Sequence, residues 1–413
     1  MADTIYAGTT PLKGEDKHVN GALIEINGER FYRIKNYDQM APFFMSIVSD
    51  SDHWMFITSN GALTAGRINP DNALFPYYTD DRIHDSQDQT GSKTIIFVTK
   101  EHMNYLWEPF SQRFAGLYDI QRSLYKNSYG NKLIFEEINN DLGVTFRYAW
   151  LNSEKFGFIK QSTIRNDGET AVQIRLLDGI QNILPYGIDR RFQLEYSTLA
   201  DGYKKNELLP ETGLGIFRMS SIPTDKAEPS EALKVTTVWS IGADETKKLL
   251  STRQLEIFRS GAAIEQEIDV KAARGAYFVN PEFELAGQTE REWFIVADIN
   301  EDSADVADLH VFLKTTKNLR DSVLADVQRG SENLVKIVAN ADGQQTTGDE
   351  LSSMRHFSNV LFNVMRGGIF DNGYRVSKAD FVSFVKTANK PVAKAHSAFL
   401  DSLPETINYG ELL

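Results

Sequence analysis

The sequence predicts a mainly β protein: a large antiparallel β-sandwich over residues 1–302, followed by α-helices. Short runs such as Val172, Ile174 and Leu176 alternate with polar residues, which is the period of a half-buried strand. Gly, Asn, Asp and Pro separate many such runs, as expected for a sandwich rather than a parallel sheet. Beyond Ser303 the apolar residues recur every three or four positions, which indicates helices.

Further runs with the same two-residue period extend the β assignment along the chain. The residues predicted to share a face in these strands are Val144, Phe146, Tyr148 and Trp150; Leu233, Val235, Thr237, Trp239 and Ile241; and Trp293, Ile295 and Ala297. Aromatic and β-branched residues dominate these positions, and such side chains suit a pleated, half-buried surface. Such runs are typical of the strands of a large antiparallel sandwich.

The connection at residues 166–169 carries a turn signal. Its sequence, Asn-Asp-Gly-Glu, joins the run Phe156 to Arg165 to the run that begins at Val172. An Asp-Gly pair supplies the positive φ that a tight turn needs, so we predict a β-hairpin here. We expect Asp178, in the sequence Leu-Leu-Asp-Gly, to satisfy buried backbone groups at a turn.

Helical periodicity appears within the β region and again after it. Residues 245–261 form the predicted internal helix, with Asp244 as its cap and Gly261 as its end. Later apolar stripes contain Val306, Leu309 and Leu313; Val323, Val327, Leu334 and Val338; and Met354, Phe357, Leu361 and Met365. Ser377, with Asp380 three residues on, opens another helix, and a short one follows Pro391. We expect residues 303–413 to be mostly helical, with no strand after residue 320.

Composition excludes several functional classes. The 413 residues carry a formal net charge of −13, which disfavours nucleic acid or an anionic membrane surface as a partner. The chain contains no cysteine, so disulfides, thiolate catalysis and Cys-ligated zinc are excluded. It shows neither an apolar run of membrane-spanning length nor a signal peptide. A cytoplasmic location is the expectation.

Several segments resemble a known family. They are SNGALTAGR (residues 59–67), FPYYTDDR (75–82), STIRNDG (162–168), LLDGIQNILPYG (176–187), the strands of residues 275–300, and RHFSNVLFNVMRGGIFDNGY (355–374). Together they resemble the N-terminal region of glycoside hydrolases and phosphorylases similar to cellobiose and chitobiose phosphorylases. Such enzymes consist of a β-supersandwich like that of galactose mutarotase, a helical linker, an (α/α)6 barrel and a small C-terminal sandwich.

The resemblance implies an arrangement of domains and a function. Residues 1–302 would be a carbohydrate-associated β-supersandwich, residues 303–341 the helical linker, and residues 342–413 the start of a truncated (α/α)6 domain. The general acid and the phosphate-binding groups of the family lie in the barrel, so no residue of this chain is assigned as catalytic. The implied partners are an oligosaccharide, the missing C-terminal barrel and a second subunit in a homodimer. No cofactor is implied, although inorganic phosphate would be a substrate of the full-length enzyme.

The segment from Asn60 to Asp88 is the candidate binding region. Turn signals break it into loops, where binding residues usually collect. It concentrates aromatic, cationic and acidic side chains, which can stack on sugars and bind their hydroxyls. The candidate substrate- or interface-binding residues are Arg67, Tyr77, Tyr78, Asp80, Asp81 and Arg82. For Arg67 alone, a structural ion pair is the competing interpretation.

Two neighbouring features have competing interpretations. Trp54 and Phe56 could form a sugar platform, but core packing is the expectation because aromatic side chains bury so much area. The acidic stretch DDRIHDSQD (residues 80–88) is dense in potential metal ligands, yet its spacing fits no metal-binding loop. We therefore predict a solvated acidic loop and no metal site.

Two alternatives to a phosphorylase front module stay open. The chain could be a stand-alone carbohydrate-binding scaffold, or an aldose-epimerase-like enzyme. An epimerase needs a histidine acid and a carboxylate base. The seven histidines are scattered along the sequence and suggest no such pair. The helices that follow the sandwich favour the front module, because neither alternative needs a linker.

Overall fold

Alternating apolar residues form strands through most of the first 300 residues. The structure is a computed structural model that describes residues 5–13, 17–78, 80–195, 199–221, 233–243, 246–367 and 374–408; of Asp80 it describes the backbone alone. The strands are β1 Tyr6–Ala7, β2 Thr10–Pro11, β3 Asn20–Ile26, β4 Glu29–Lys35, β5 Phe44–Ile47, β6 His53–Thr58, β7 Leu63–Arg67, β8 Ala73–Phe75, β9 Gly91–Lys100, β10 Met103–Trp107, β11 Ile120–Asn127, β12 Leu133–Asn139, β13 Val144–Ser153, β14 Gly157–Asn166, β15 Val172–Ile183, β16 Lys204–Leu209, β17 Leu214–Met219, β18 Val235–Ile241, β19 Lys247–Leu249, β20 Asp269–Lys271, β21 Gly275–Asn280, β22 Glu282–Leu285, β23 Glu290–Glu301, β24 Arg375–Ser377 and β25 Thr406–Asn408.

The helices lie mainly after the strands. They are α1 Arg190–Leu194, α2 Leu255–Arg259, α3 Ser303–Thr315, α4 Leu319–Asp342, α5 Glu350–Met365, α6 Lys378–Ala388, α7 Lys390–Ala395 and α8 Ser397–Ser402. Asp302 caps α3 in a reciprocal capping box with Asp305. Ser377 caps α6 as predicted, because its hydroxyl accepts from the Asp380 N–H. None of the helices in the described ranges is both long and apolar enough to cross a membrane.

Three larger antiparallel sheets and the two-stranded ribbon β1–β2 make up the described part of the β region. The large sheet has eleven strands in the order β20-β16-β17-β18-β23-β14-β13-β12-β11-β4-β3. A six-stranded sheet has the order β10-β9-β15-β21-β19, with β22 also paired to β15, and a four-stranded sheet has the order β5-β6-β7-β8. The predicted fold class, mainly β with large antiparallel sheets and C-terminal helices, is confirmed.

The main core lies between these sheets. It contains Phe146, Tyr148 and Trp150 from the large sheet, together with Ile174 and Leu176 from the six-stranded sheet. These are the alternating residues that the sequence assigned to buried faces. The opposite face of the large sheet is apolar as well: Leu151, Trp239 and Phe294 pack there against Val323 and Val327 of α4. Strands buried on both faces therefore dominate the centre of this sheet.

The predicted hairpin at residues 166–169 is wrong. Strand β14 pairs with β13 and β23, whereas β15 pairs with β9, β21 and β22 in the other sheet. The turn therefore crosses between sheets. The described backbone of Gly168 has no positive φ; instead Asn166 accepts from the Gly168 N–H. A short turn signal does not reveal which strands it joins.

Two further predictions need correction. Residues 245–261 do not form one helix, because Lys247–Leu249 is a strand that pairs with β21 and only Leu255–Arg259 is helical. Asp244, the predicted cap, lies outside the described residues. A strand does occur after residue 320, since Arg375–Ser377 pairs with Thr406–Asn408. Three-residue strands are too short for alternation to distinguish them.

The chain divides into two compact units, Met1–Gly330 and Ser331–Leu413. The second unit contains α5 to α8 and the ribbon β24–β25. Phe357 and Leu361 of the predicted stripe are buried, as is Val360, while Met365 is 58% exposed. The domain boundaries at residues 302 and 341 stay predictions.

Candidate functional site

Strand β6 orients the aromatic residues near the predicted site. His53, Met55 and Ile57 are buried, and the last two belong to the main core. Trp54 and Phe56 point to the opposite face of the four-stranded sheet, where both are half-buried. Core packing was the expectation for them. The sequence correctly placed both on one face. That face is the outer one of this sheet, and there Trp54 packs against a small cluster of buried hydrophobic residues, as expected.

Four rings form a row along this outer face. The centroids of Phe44 and Phe56 are 5.4 Å apart in a stacked arrangement, and those of Phe56 and Trp54 are 6.3 Å apart. Tyr77 meets the indole of Trp54 edge-on at 5.6 Å. Phe44 is 56% exposed, although an aromatic side chain of this size is mostly buried in proteins. We call Phe44, Phe56, Trp54 and Tyr77 the aromatic row.

Backbone geometry holds the indole of Trp54 in place. A Cβ at Gly66 on the adjacent strand would lie 2.4 Å from Cζ2 of Trp54, so only glycine permits this close approach. The indole Nε1–H donates to the Asn69 carbonyl at 3.1 Å. Ile68, between them, has a φ of 64° and is 68% exposed. A positive φ is strained for a β-branched residue, and such strain is often found at binding sites.

Arg67 lies in a structural ion-pair network. Its Nε donates to Asp52 at 2.8 Å, its Nη1 to Asp298 at 2.7 Å, and its Nη2 to the Glu154 carbonyl at 3.1 Å. Asp298 belongs to β23, so the guanidinium connects the four-stranded sheet to the large one. These contacts use donors on all three nitrogens. Arg67 thus forms a structural ion pair, which was the competing interpretation for this residue.

Of the other predicted site residues, the described contacts place only Tyr77 in the row. Tyr77 belongs to it, and the Tyr78 hydroxyl lies 3.3 Å from Thr90 Oγ1. Asp81 and Arg82 are exposed on a 3₁₀ turn, Asp80–Ser86. The structure thus places Tyr77 with Trp54 and keeps Arg67 in a separate network. The binding assignments of all six residues stay predictions.

A small cavity lies beneath the start of the segment. It has a volume of about 120 Å³, and Asn60 and Gln87 line it beside Phe110. The rings of Phe135 and Tyr148 form another wall, stacked at 4.9 Å. No histidine is among its described lining residues. An epimerase-type acid–base pair is therefore not assembled here.

His53 is the histidine closest in sequence to the aromatic row, and it is poorly suited to be a general acid. Burial, reinforced by the charge of Arg67, lowers the pKa of its imidazole to about 3. Its Nδ1 lies 2.8 Å from the Ser51 hydroxyl. A general acid must be protonated at the working pH, and this imidazole is neutral there.

The acidic stretch near residue 85 does not gather a ligand set. Within the described ranges, no three His, Asp or Glu side chains converge as metal ligands. Asp88 accepts from Lys93 at 3.0 Å and from Ser111 at 3.1 Å instead. Its carboxylate therefore has a structural function, one that sequence spacing did not indicate.

The sequence interpretation missed Phe44, the most exposed ring of the row. Its position follows from the register of β5 and β6, in which Phe44 lies opposite Thr58 and Ser46 opposite Phe56. The signal that could have found it is the pairing of two short alternating runs across the turn near Ser51. Alternation within a single run contains no such information.

Comparison with known proteins identifies one segment by sequence. Residues 370–413 match the family model described as Glycoside hydrolase family 149 insertion domain 1. No curated protein matches the chain.

Several solved structures align over much of the chain at low identity. A bacterial glucoamylase complexed with acarbose is 9% identical, with 97% of this chain and 55% of that one covered and a TM-score of 0.46. A putative kojibiose phosphorylase from the human microbiome is 10% identical over 66% of this chain and 31% of its own, with a TM-score of 0.35. A GalM/aldose epimerase homologue from C. elegans is 10% identical over 64% of this chain and 100% of its own, also at 0.35. The chain spans about half of the first protein and a third of the second.

The sequence match lies in the second unit and includes the ribbon β24–β25 and the helices α6 to α8. Residues 370–413 are thus similar to an insertion domain of glycoside hydrolase family 149, and the resemblance to glycoside hydrolases and phosphorylases predicted from the sequence is confirmed.

Proposed function

We propose that this chain is the non-catalytic, carbohydrate-binding and structural portion of a cellobiose phosphorylase-like enzyme that acts on oligosaccharides. The observation that carries the proposal is the aromatic row on the outer face of the four-stranded sheet. The family match of residues 370–413 supports the link to carbohydrates independently of the row. The catalytic barrel of the same polypeptide, a second subunit and a cytoplasmic location are further parts of the proposal.

The row has the chemistry that a sugar-binding surface needs. Exposed rings offer apolar faces to the C–H surface of a pyranose, and adjoining apolar groups at the surface commonly mark interaction sites. Phe44 and Phe56 stack nearly parallel, at an interplanar angle of 22°. Polar groups follow along the chain, since Asp81 and Arg82 come soon after Tyr77 and are exposed. A chain of sugar units could contact several rings at once.

Oligosaccharide binding tests this proposal directly. We would titrate the purified chain with cello-oligosaccharides and chito-oligosaccharides by calorimetry and compare it with Trp54→Ala and Phe56→Ala. Each loss of a stacking ring should weaken binding about tenfold. Phe384→Ala is the matched control, because Phe384 is 69% exposed in the other unit. Absence of binding by the unmodified chain, or equal binding by all variants, would contradict the proposal.

The proposal also includes the absence of chemistry by this chain alone. The described cavity residues provide no histidine, and the buried His53 is neutral near pH 7. Inorganic phosphate is proposed as a substrate of the full-length enzyme only. We expect no phosphate-dependent release of a sugar 1-phosphate from cellobiose or diacetylchitobiose. Detection of that product would show that the catalytic groups are present here.

A stand-alone carbohydrate-binding scaffold would use the same aromatic row. The length of the open reading frame distinguishes the two, since a front module requires a barrel encoded after residue 413. A reading frame of this length alone would favour the scaffold.

A further inference from the structure

We propose that a cleft on the outer face of the six-stranded sheet binds the phosphate group of a small hydroxylated ligand, such as a sugar phosphate. The cleft has a volume of about 470 Å³, within the range of small-molecule sites. Arg175, Lys247 and Arg291 line it together with Glu282 and Asn280. None of its described lining residues belongs to the aromatic row.

The strand register brings these side chains together. Val172, Ile174 and Leu176 face the core, so Arg175 projects from the outer face of β15. Lys247 precedes Leu249 by two residues on β19, and Leu249 packs on that same outer face. Arg291 comes from β23 at the neighbouring part of the large sheet, so the cations belong to separate strands and line one cleft.

Among the described residues, aromatic rings rather than carboxylates hold the two guanidinium groups. Arg175 lies 4.7 Å from the ring centroid of Phe97 and 5.1 Å from that of Phe258. Arg291 lies 4.3 Å from the centroid of Phe283. A guanidinium that stacks on a ring keeps its N–H edge for other partners. For Arg175, the structure uses one donor on that edge, from Nη2 to a backbone carbonyl at 3.1 Å.

Three arginines elsewhere in this unit show the contrast. Arg67, Arg122 and Arg259 each contact a carboxylate within 2.7 Å. Within the described ranges, neither Arg175 nor Arg291 forms an ion pair. Arg175 lies opposite Glu282 in the β15–β22 register, but its guanidinium stacks on the rings of Phe97 and Phe258 instead. In a chain with a net charge of −13, a cleft whose described lining residues include three cations and one carboxylate is a local exception.

The lining chemistry selects the ligand class. Two guanidinium edges match the oxygens of a phosphate, and the Lys247 ammonium adds a point charge. Lys247 is kept in position by the Ile264 carbonyl at 2.7 Å. Glu282 would oppose a bare anion but accepts hydrogen bonds from hydroxyl groups. A phosphate on a hydroxylated body uses both kinds of group.

Calorimetry with three probes tests the site. The purified chain would be titrated with glucose 6-phosphate, inorganic phosphate and glucose at low and high salt. We expect glucose 6-phosphate to bind most tightly, with an affinity that falls as salt rises, and glucose not to bind in the cleft. Equal binding of inorganic phosphate would support the site and assign it to the free anion. If neither phosphate compound binds, the proposal fails.

Two variants locate any binding that is observed. Arg291→Gln and Lys247→Gln should each weaken glucose 6-phosphate binding about tenfold, since each removes a charged contact. Arg190→Gln is the matched control, because Arg190 is exposed on α1. Thermal melting confirms that each variant folds. Unchanged affinity in both folded cleft variants would overturn the assignment. Trp54→Ala should leave the affinity for glucose 6-phosphate unaltered, and this result would distinguish the cleft from the oligosaccharide site.

Discussion

The ammonium of Lys160 lies 2.5 Å from the Asp178 carboxylate, and neither side chain is exposed to solvent. Lys160 belongs to β14 in the large sheet and Asp178 to β15 in the six-stranded sheet. The carboxylate also accepts from Thr94 at 2.6 Å, from Ser162 at 2.9 Å and from the Trp293 indole at 2.8 Å. A buried charge is tolerated when it is paired and fully hydrogen-bonded, as it is here. The two sheets are thus joined by a polar contact inside an apolar core.

Breaking this pair should destabilise the sandwich strongly. Lys160→Met leaves the carboxylate unpaired, and Asp178→Asn leaves the ammonium unpaired. Each should lower the free energy of unfolding by about 3–5 kcal/mol. The double variant should lose less than the two single losses combined, because no unpaired charge remains. Urea unfolding of the four proteins measures this, and strictly additive losses would show that the pair is not coupled.

Asp178 also shows what local sequence patterns leave out. The alternation of Val172, Ile174 and Leu176 correctly predicted a strand with a buried face. The same pattern could not show that Asp178 lies within that strand rather than at a turn, because its partners are distant in the sequence. Lys160 and Trp293 reach it from strands on the other sheet. Sheet partners depend on long-range pairing, which a turn signal such as Asp167-Gly168 does not encode.

The candidate site shows the same difference between what local sequence patterns predict and what long-range contacts determine. Period-two alternation placed Trp54 and Phe56 on one face, but the direction of that face depends on the sheet against which β6 packs. Arg67 is bound by Asp298, which lies 231 positions further along the chain. Its environment could therefore not be inferred from neighbouring residues. Local composition identified the candidate segment, whereas the role of each side chain depends on its tertiary contacts.

Gly66 should be required for the aromatic row. A Cβ there would lie 2.1 Å from the Asn72 carbonyl oxygen and 2.4 Å from Cζ2 of Trp54. Gly66→Ala should therefore lower the free energy of unfolding by about 1–3 kcal/mol through overpacking and weaken oligosaccharide binding. Gly202→Ala is the control, since its Cβ would meet nothing within 4 Å. Urea unfolding and calorimetry measure both effects, and equal behaviour of the two variants would contradict the close packing.

Glu301 should make stability depend on pH. Burial, reinforced by the charges of Asp298 and Asp305, raises the pKa of its carboxyl to about 7 from an ordinary value of 4.5. Between these values the folded state holds a proton that the unfolded state has lost, so this group makes stability fall as pH rises from 4.5 through 7. Glu301→Gln removes the effect. Its Tm should exceed that of the unmodified protein at about pH 8 and equal it near pH 4.

The comparison of Tm differences cancels the carboxyls that are distant from Glu301, because these titrate alike in both proteins. Glu195→Gln is the control: Glu195 is 60% exposed and pairs with Arg191 on the surface. Its Tm difference should be small at every pH. A Glu301→Gln difference that stays constant across the pH range would contradict the raised pKa.

Residues of the segment Asn60–Asp88 should separate into structural and binding groups. Arg67→Met leaves Asp298 without its cation in a nearly buried position, and should cost about 3 kcal/mol of unfolding free energy. Tyr78→Phe removes only a hydroxyl whose contact with Thr90 spans 3.3 Å, and Arg82→Ala changes an exposed side chain. The double variant of Tyr78 and Arg82 should therefore melt within a few degrees of the unmodified protein, as judged by calorimetric Tm.

The same double variant tests whether the segment is an interface in the parent enzyme. If its loops contact the catalytic barrel or a second subunit, Tyr78→Phe with Arg82→Ala should lower the activity or the dimer fraction of the full-length protein while Tm stays constant. Light scattering gives the dimer fraction and phosphate-dependent turnover the activity. A large fall in Tm would show instead that the Tyr78 hydroxyl or the Arg82 side chain stabilises the fold. Unchanged activity and assembly at constant Tm would show that neither the Tyr78 hydroxyl nor the Arg82 side chain makes a contact that the barrel or the partner requires.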